Sequence, residues 1–391
     1  MLPAILAPSC ARPAGSAATP GPGEGSACVV LLTSGSGPTA PLDVPAERGV
    51  RLAFDLRAAR PGARVPALRI VDAAGTPDGA ARAAREAPLP GAANAGACAV
   101  AGLGFCDTDL AIAAVPAFAA AGVPFMVIGA TDPGLPARCG AGTFLACFGD
   151  DLQGRAAAEF MRTRFGPRLA IVFDSRSTYA RTVAGFCRQR FRELQGGVPA
   201  EFDLAATPPA QLGAFMTDLP GRVDALYVAC EPPDVGPVLA SVRPVLPKLP
   251  IVGGDSFDGD SVNLGGGSAS GGVFVTTHAW FGEGATAEAI AFAGAYRARW
   301  GEPPPSAFAA LGFDAANIVL DAFERVGAGE VGGSLPPAAI RAELVQARRL
   351  EGASGCIGFD RGPVPDKDVW IFEVVNGVRV LAERVRNVHK P

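Results

Sequence analysis

The chain reads as an α/β protein made of two open, mostly parallel sheets flanked by helices. Three observations predict this. Within Cys98 to Thr131, the apolar runs Cys98–Leu103 and Val123–Ile128 have strand length, and Thr108–Ala121 between them has helical spacing, which makes a βαβ unit. The pattern restarts at Arg168–Phe173, with two further strands that each empty into a polar turn. At 391 residues the chain is long for one core, so two lobes are expected.

Composition narrows the class. The chain is 49% hydrophobic with a net charge of −4, and its lysines and arginines form no cluster of the kind a nucleic-acid groove needs. Gly 50 and Pro 36 punctuate periodic segments rather than forming one low-complexity block. The first residues, MLPAILAPSC, hold an apolar run too short to span a membrane, and Ala11–Ala27 is rich in Pro, Gly, Ser and Ala. Residues 1–27 are expected to be a leader or tether. One reading makes Leu6–Cys10 a degenerate lipobox with a lipid anchor on Cys10; the other is an unstructured leader, since no basic region precedes the run.

In order, Cys28–Leu32 is expected as a strand and Thr33–Thr39 as a glycine-rich turn into a helix over Val44–Ala59. That turn lacks both GK[ST] and GxGxxG, so nucleotide binding is poorly supported. Leu68–Val71 and Asp78–Ala87 continue as strand and helix before the βαβ unit, where Thr108 is a candidate N-cap. A helix over Leu152–Phe165 leads to the second set: strand Arg168–Phe173, helix Ala180–Leu194, strand Ala225–Cys230 and strand Pro250–Gly253. Strand Phe274–Thr277 and helices Thr286–Trp300, Ser306–Val326 and Ile340–Ala347 follow. Gly355–Val380 alternates like antiparallel strands around Asp360–Pro363, with Asn376-Gly377 as a hairpin signal.

Nine cysteines form no CxxC pair and no spacing with histidine for a metal, so neither metal nor cofactor is expected. Cys139 and Cys147 bracket a short glycine-containing loop and are expected to form a disulfide, as suits an exported protein.

Several stretches in sequence, GPTAPLDVPAERGVRLAFD, LAIAAVPAFAAAGVPFMVIGATDPGL, IVFDSRSTYARTVAGF, GFDAANIVLDAFERVG and LEGASGCIGFDRGPVPDKDVWIFEVVNGVRV, resemble type I periplasmic binding proteins of the branched-chain amino-acid and amide group. The resemblance covers about residues 28 to 385. It implies two lobes joined by three crossing segments, with residues 28–149 plus 277–357 in one and 150–276 plus 358–391 in the other. By position, it implies that Thr108 meets a ligand carboxylate, that Gly129, Ala130 and Thr131 offer backbone and hydroxyl, and that Tyr179 closes over the ligand. Asp255 falls at the ammonium acceptor and Glu231 at a position that sets side-chain specificity, where many members carry an aromatic or small residue. Cys106 matches a cysteine bridged in some relatives to the loop after the second strand, here Asp72-Ala73-Ala74-Gly75, which has none.

These residues also suit a zwitterion, which needs donors at one end, an acceptor at the other and a face to stack on. Other roles compete: caps for Thr108 and Thr131, a solvated loop for Asp255, core packing for Tyr179, and a rim position for Glu231. Acidic exit turns at Asp107, Asp109, Glu231, Asp255 and Asp258 favour an amine-bearing ligand if several line the cleft. The functional expectation is an extracytoplasmic receptor that passes a small polar ligand to an ABC permease, the ligand being an amino acid or a related amine. A ligand-sensing module is the alternative, as is an amide or small carboxylate as ligand. An enzyme is disfavoured, because the two histidines are His278 and His389 and no GxSxG elbow occurs.

Overall fold

The computed structural model describes residues 27–91, 98–259, 272–329, 335–346 and 349–386. Cys10 with the rest of the leader to residue 26, and His389, lie outside the described residues.

The first half alternates strand and helix: β1 (Cys28–Thr33), α1 (Ala40–Ala58), β2 (Ala67–Asp72), α2 (Pro77–Glu86), β3 (Ala99–Gly104), α3 (Thr108–Ala120), β4 (Phe125–Val127), α4 (Leu135–Cys139) and β5 (Thr143–Leu145). Its strands form a parallel sheet of order β2-β1-β3-β4-β5. β1 and β3 are buried along their whole length, as continuous apolar runs covered by helices on both faces should be.

The second half repeats the scheme with α5 (Asp150–Arg164), β6 (Arg168–Phe173), α6 (Thr178–Glu193), β7 (Gly197–Asp203), α7 (Leu212–Thr217), β8 (Ala225–Ala229), α8 (Val235–Val242), β9 (Ile251–Gly253) and β10 (Val273–Thr277). The chain then returns to the first sheet with α9 (Ala287–Trp300), α10 (Ala307–Gly329), α11 (Pro337–Val345) and the small hairpin β11 (Leu350–Gly352) and β12 (Gly355–Ile357). It ends with β13 (Val369–Val375) and β14 (Val378–Val385), which pair antiparallel at one edge of the second sheet, of order β14-β13-β10-β9-β8-β6-β7. Asn376 and Gly377 turn that hairpin with φ of 51° and 76°. α1 and α10 touch through Gly49 and Gly312; a Cβ on Gly49 would lie 1.9 Å from the Ala309 carbonyl oxygen.

Two expectations are corrected. Asp360–Pro363 is not the turn of an antiparallel pair: β12 pairs with β11, and the chain from 358 to 368 runs across to the second sheet. That crossing is held by the Leu145 amide donating to the Pro363 carbonyl (2.9 Å) and by buried Lys367 donating to the Ala146 carbonyl (3.0 Å) and to Ser354 Oγ (2.7 Å).

The second correction concerns the disulfide. Cys139 and Cys147 are free, each buried with its thiol near a carbonyl, Ala111 O and Ala130 O respectively. β5 separates them and points their side chains to different neighbours. The bond joins Cys28 to Cys98 instead, at the entrances of the neighbouring parallel strands β1 and β3, where the Cα atoms are 5.2 Å apart.

Candidate functional site

Both sheets direct the exits of their parallel strands toward a common cleft. On the first wall, β3 runs into Phe105, Cys106 and Asp107. Asp107, not Thr108, is the N-cap of α3, its carboxylate accepting the Leu110 amide at 2.9 Å. Thr108 is therefore the first helical residue, 2% exposed, and its hydroxyl has no partner among the described residues. Behind it, Asp43 of α1 accepts the Cys106 amide at 2.9 Å, and burial pushes its carboxyl up to about 7.

At the exit of β4, Gly129 donates to the Phe105 carbonyl (3.0 Å) and Ala130 accepts from the Cys147 thiol. A Cβ on Gly129 would sit 2.8 Å from the Phe308 ring and 3.0 Å from Cys106 Sγ, so glycine is what lets that ring lie against the strand end. The hydroxyl of Thr131 is committed: it donates to Asp150 Oδ1 at 2.6 Å, and the Asp150 amide donates back to the Thr131 carbonyl at 2.7 Å. Asp150, the first residue of α5, is fully buried, and that burial holds its carboxyl well above the usual range. This pair ties the first crossing segment to the cleft floor.

On the second wall, Asp255 follows β9 and is 2% exposed, so the solvated-loop role is excluded. Its Oδ2 lies 2.9 Å from Nε2 of His278, which sits just past β10; β9 and β10 are parallel neighbours, so their exits meet. His278 stacks on Phe148 with ring centroids 3.8 Å apart, and burial lowers its affinity for a proton while Asp255 opposes that shift. Asp255 Oδ1 has no partner among the described residues. Its charge is felt at Cys106 on the first wall and at Glu231 on its own.

Tyr179 supplies no free aromatic face: its ring packs in the core of the second sheet. Its hydroxyl donates to Gln153 Oε1 at 3.3 Å and lies 3.3 Å from Ser256 Oγ, which donates to the Cys230 carbonyl at 2.7 Å. Glu231, after β8, is half-buried and accepts the Ser177 hydroxyl. Burial, with the charge of Asp107 added, holds its carboxyl well above the usual range. Asp258 is buried and already partnered, accepting from Arg379, the Ala307 amide and the Thr277 hydroxyl.

The two walls touch. Asp109 of α3 accepts from the Thr178 amide (3.1 Å) and hydroxyl (2.5 Å) at the start of α6. Beside this contact, Asp107, Asp109 and Glu231 line a cavity of about 200 Å³. Sequence reasoning missed His278, Asp150 and Gln153. The first was within reach, because residues after adjacent strands meet at the same end of a sheet.

The family profile of periplasmic binding proteins matches residues 28–378. No curated protein sequence matches. Among solved structures, a leucine-binding protein, LivK, of Thermotoga maritima is 25% identical over 92% of this chain and 99% of its own, with a TM-score of 0.80. The branched-chain amino-acid transporter substrate-binding protein LivJ of Streptococcus pneumoniae, in complex with isoleucine, is 24% identical over 92% and 99%, with a TM-score of 0.79. A solute-binding protein of an ABC transporter from Rhodopseudomonas palustris, in complex with 3,4-dihydroxybenzoic acid, is 20% identical over 94% and 99%, with a TM-score of 0.79. Two sheets, a cleft between their strand exits and this family match place the chain in the periplasmic binding protein family, with the type I fold of its solute receptors.

Proposed function

We propose that the protein is the extracytoplasmic receptor of an ABC importer for an amino acid or a closely related amine, acting by binding alone. The observation that carries this is the carboxylate of Asp255: deeply buried, fixed at one oxygen by His278, and with its other oxygen unpartnered among the described residues. A buried acceptor of that kind suits an ammonium, with which it makes a charge-assisted hydrogen bond. Across the cleft, the unpartnered Thr108 hydroxyl and the first amides of α3 suit a carboxylate. Gly129 and Ala130 shape the floor between them, and Thr131 and Tyr179 act as supports rather than direct contacts. The ligand stabilises the closed arrangement of the lobes, residues 28–149 with 277–357 and 150–276 with 358–391, and a permease takes it from there.

The extracytoplasmic placement is supported by the family and by the Cys28–Cys98 disulfide, which persists in an oxidising compartment. No helix among the described residues is long and apolar enough to cross a membrane, and anchoring through Cys10 is the accompanying expectation. A thermal-shift screen tests the reading with L-leucine, L-isoleucine, L-lysine and benzoate. A ligand at ~100-fold its Kd adds about 2.7 kcal/mol to the folded state. Stabilisation by α-amino acids is expected; stabilisation by benzoate with none by any amino acid would overturn it.

A further inference from the structure

The mouth of the cleft holds three carboxylates and no counter-charge. Asp107 and Asp109 come from the first wall and Glu231 from the second, and no lysine, arginine or histidine lines the cavity they share. Their hydrogen-bond partners are neutral: the Leu110 amide, the Thr178 amide and hydroxyl, and the Ser177 hydroxyl. Elsewhere the protein pairs carboxylates with guanidinium groups, as in Asp224 with Arg168 and Asp258 with Arg379. The nearby arginines are engaged already: Arg176 with Asp174 and Asp234, and Arg181 with the Ser175 carbonyl and with the Thr178 hydroxyl that donates to Asp109.

A second observation points to an occupant. Thr39, 7% exposed, lines the same cavity, and its hydroxyl has no partner among the described residues. Leu42, Leu110 and Pro232 give the remaining wall an apolar character that suits methylene groups. We propose that this cavity is the subsite for a second, cationic group of the ligand, an ammonium or guanidinium on an alkyl chain, held by Asp107, Asp109 and Glu231. This rests on the receptor reading above, with Asp255 taking the first ammonium. The receptor is then selective for basic amino acids over neutral ones.

The electrostatics agree. Burial and mutual repulsion raise Asp107 to about 6 and hold Glu231 well above the usual carboxylate range, with Asp255 adding negative charge at Glu231, while Arg176 is paired with carboxylates and Arg181 donates to the Ser175 carbonyl and the Thr178 hydroxyl. A bound cation reverses those shifts. Its binding therefore releases protons and strengthens as the pH rises through the range where these carboxyls ionise.

The test is calorimetry with L-leucine, L-lysine, L-arginine and calcium chloride, on the wild-type protein and on Glu231→Gln and Asp107→Asn. Asparagine keeps the cap on the Leu110 amide and glutamine keeps an acceptor for Ser177, so either variant serves if the other fails to fold. The expected result is L-lysine or L-arginine binding about tenfold or more tighter than L-leucine at about pH 7.5, with the ratio shrinking at about pH 5.5 and in the variants. L-leucine binding as tightly as the basic amino acids overturns the proposal and leaves the receptor reading standing. Failure of every amino acid removes both, and saturable binding of calcium alone assigns the carboxylates to a metal instead.

Discussion

The two walls of the cleft solve different problems. At the centre of the cleft the first is built from small residues and backbone: Thr108 follows β3, whose far end is stapled to β1 by Cys28–Cys98, and Gly129 and Ala130 follow the neighbouring β4. The second carries the fixed charge, with Asp255 braced by His278 and Glu231 by Ser177. Backbone and hydroxyl groups can approach a ligand closely without a counter-ion, whereas a buried carboxylate is stable only with donors or a cation beside it. On the proposed reading, the first wall is a template for shape at the centre of the cleft and Asp255 of the second selects charge there, while at the mouth both walls supply carboxylates, Asp107 and Asp109 from the first and Glu231 from the second.

That contrast breaks first at Asp255. Asp255→Ala is expected to cost about 2–5 kcal/mol of ligand binding, roughly thirtyfold to several thousandfold in Kd, because it leaves an ammonium buried without its partner. Thr108→Ala removes one of several donors to the ligand carboxylate, leaves the α3 amides in place, and should cost less, about 1.5–3 kcal/mol at most. Calorimetry with one amino acid on both variants checks the order; equal losses would mean that the walls share the charge recognition.

The next largest effect separates stability from binding. The 70-residue separation of Cys28 and Cys98 restricts the unfolded chain, so replacing both by alanine should lower the unfolding free energy by about 2–4 kcal/mol. Ligand affinity should hold, since the bond lies at the opposite end of the strands from the cleft. Denaturant unfolding with and without reductant measures it, and peptide mapping under non-reducing conditions should find Cys139 and Cys147 free.

Much of this architecture is legible in the sequence for a simple reason: β1, β3, β6 and β8 are buried on both faces and appear as uninterrupted apolar runs. β7 escaped because it is an edge strand paired only with β6, and Gly197–Asp203 contains a proline and a glutamate. β5 is only three residues long and follows Gly140 and Gly142, so in sequence it reads as loop, and a loop there makes a Cys139–Cys147 bond feasible. Asp255 and Glu231 were visible as acidic strand exits. Their supports were not: His278 and Asp150 act across sequence gaps that only strand order closes.

Steric substitutions sharpen the division on a smaller scale. Gly129→Ala pushes a methyl group against the Phe308 ring, and Gly254→Ala places one 1.9 Å from the Tyr179 hydroxyl oxygen. Each should destabilise by about 1–3 kcal/mol through overpacking. Their binding effects should differ, because Gly254 directly precedes Asp255, while Phe308 lies behind the first wall. A larger loss of affinity for Gly129→Ala at matched stability would place the discriminating contacts on the first wall.

The smallest effect lies where the walls meet. Asp109 joins α3 to the amide and hydroxyl of Thr178 at the start of α6, so on the proposed lobe division this contact belongs to the closed arrangement. Asp109→Ala removes it at a cost of about 0.5–1.5 kcal/mol, which shifts the lobes toward the open state and weakens binding by roughly twofold to tenfold. The loss should appear in the dissociation rate, since the encounter with an open cleft does not involve the contact. Stopped-flow measurements separate the two rates. With a neutral ligand the variant should bind more weakly through faster release alone. With a basic ligand the same variant also removes a carboxylate from the cavity, so its penalty should be larger. Equal penalties for the two ligands would leave Asp109 as a latch and transfer charge selection to Asp107 and Glu231.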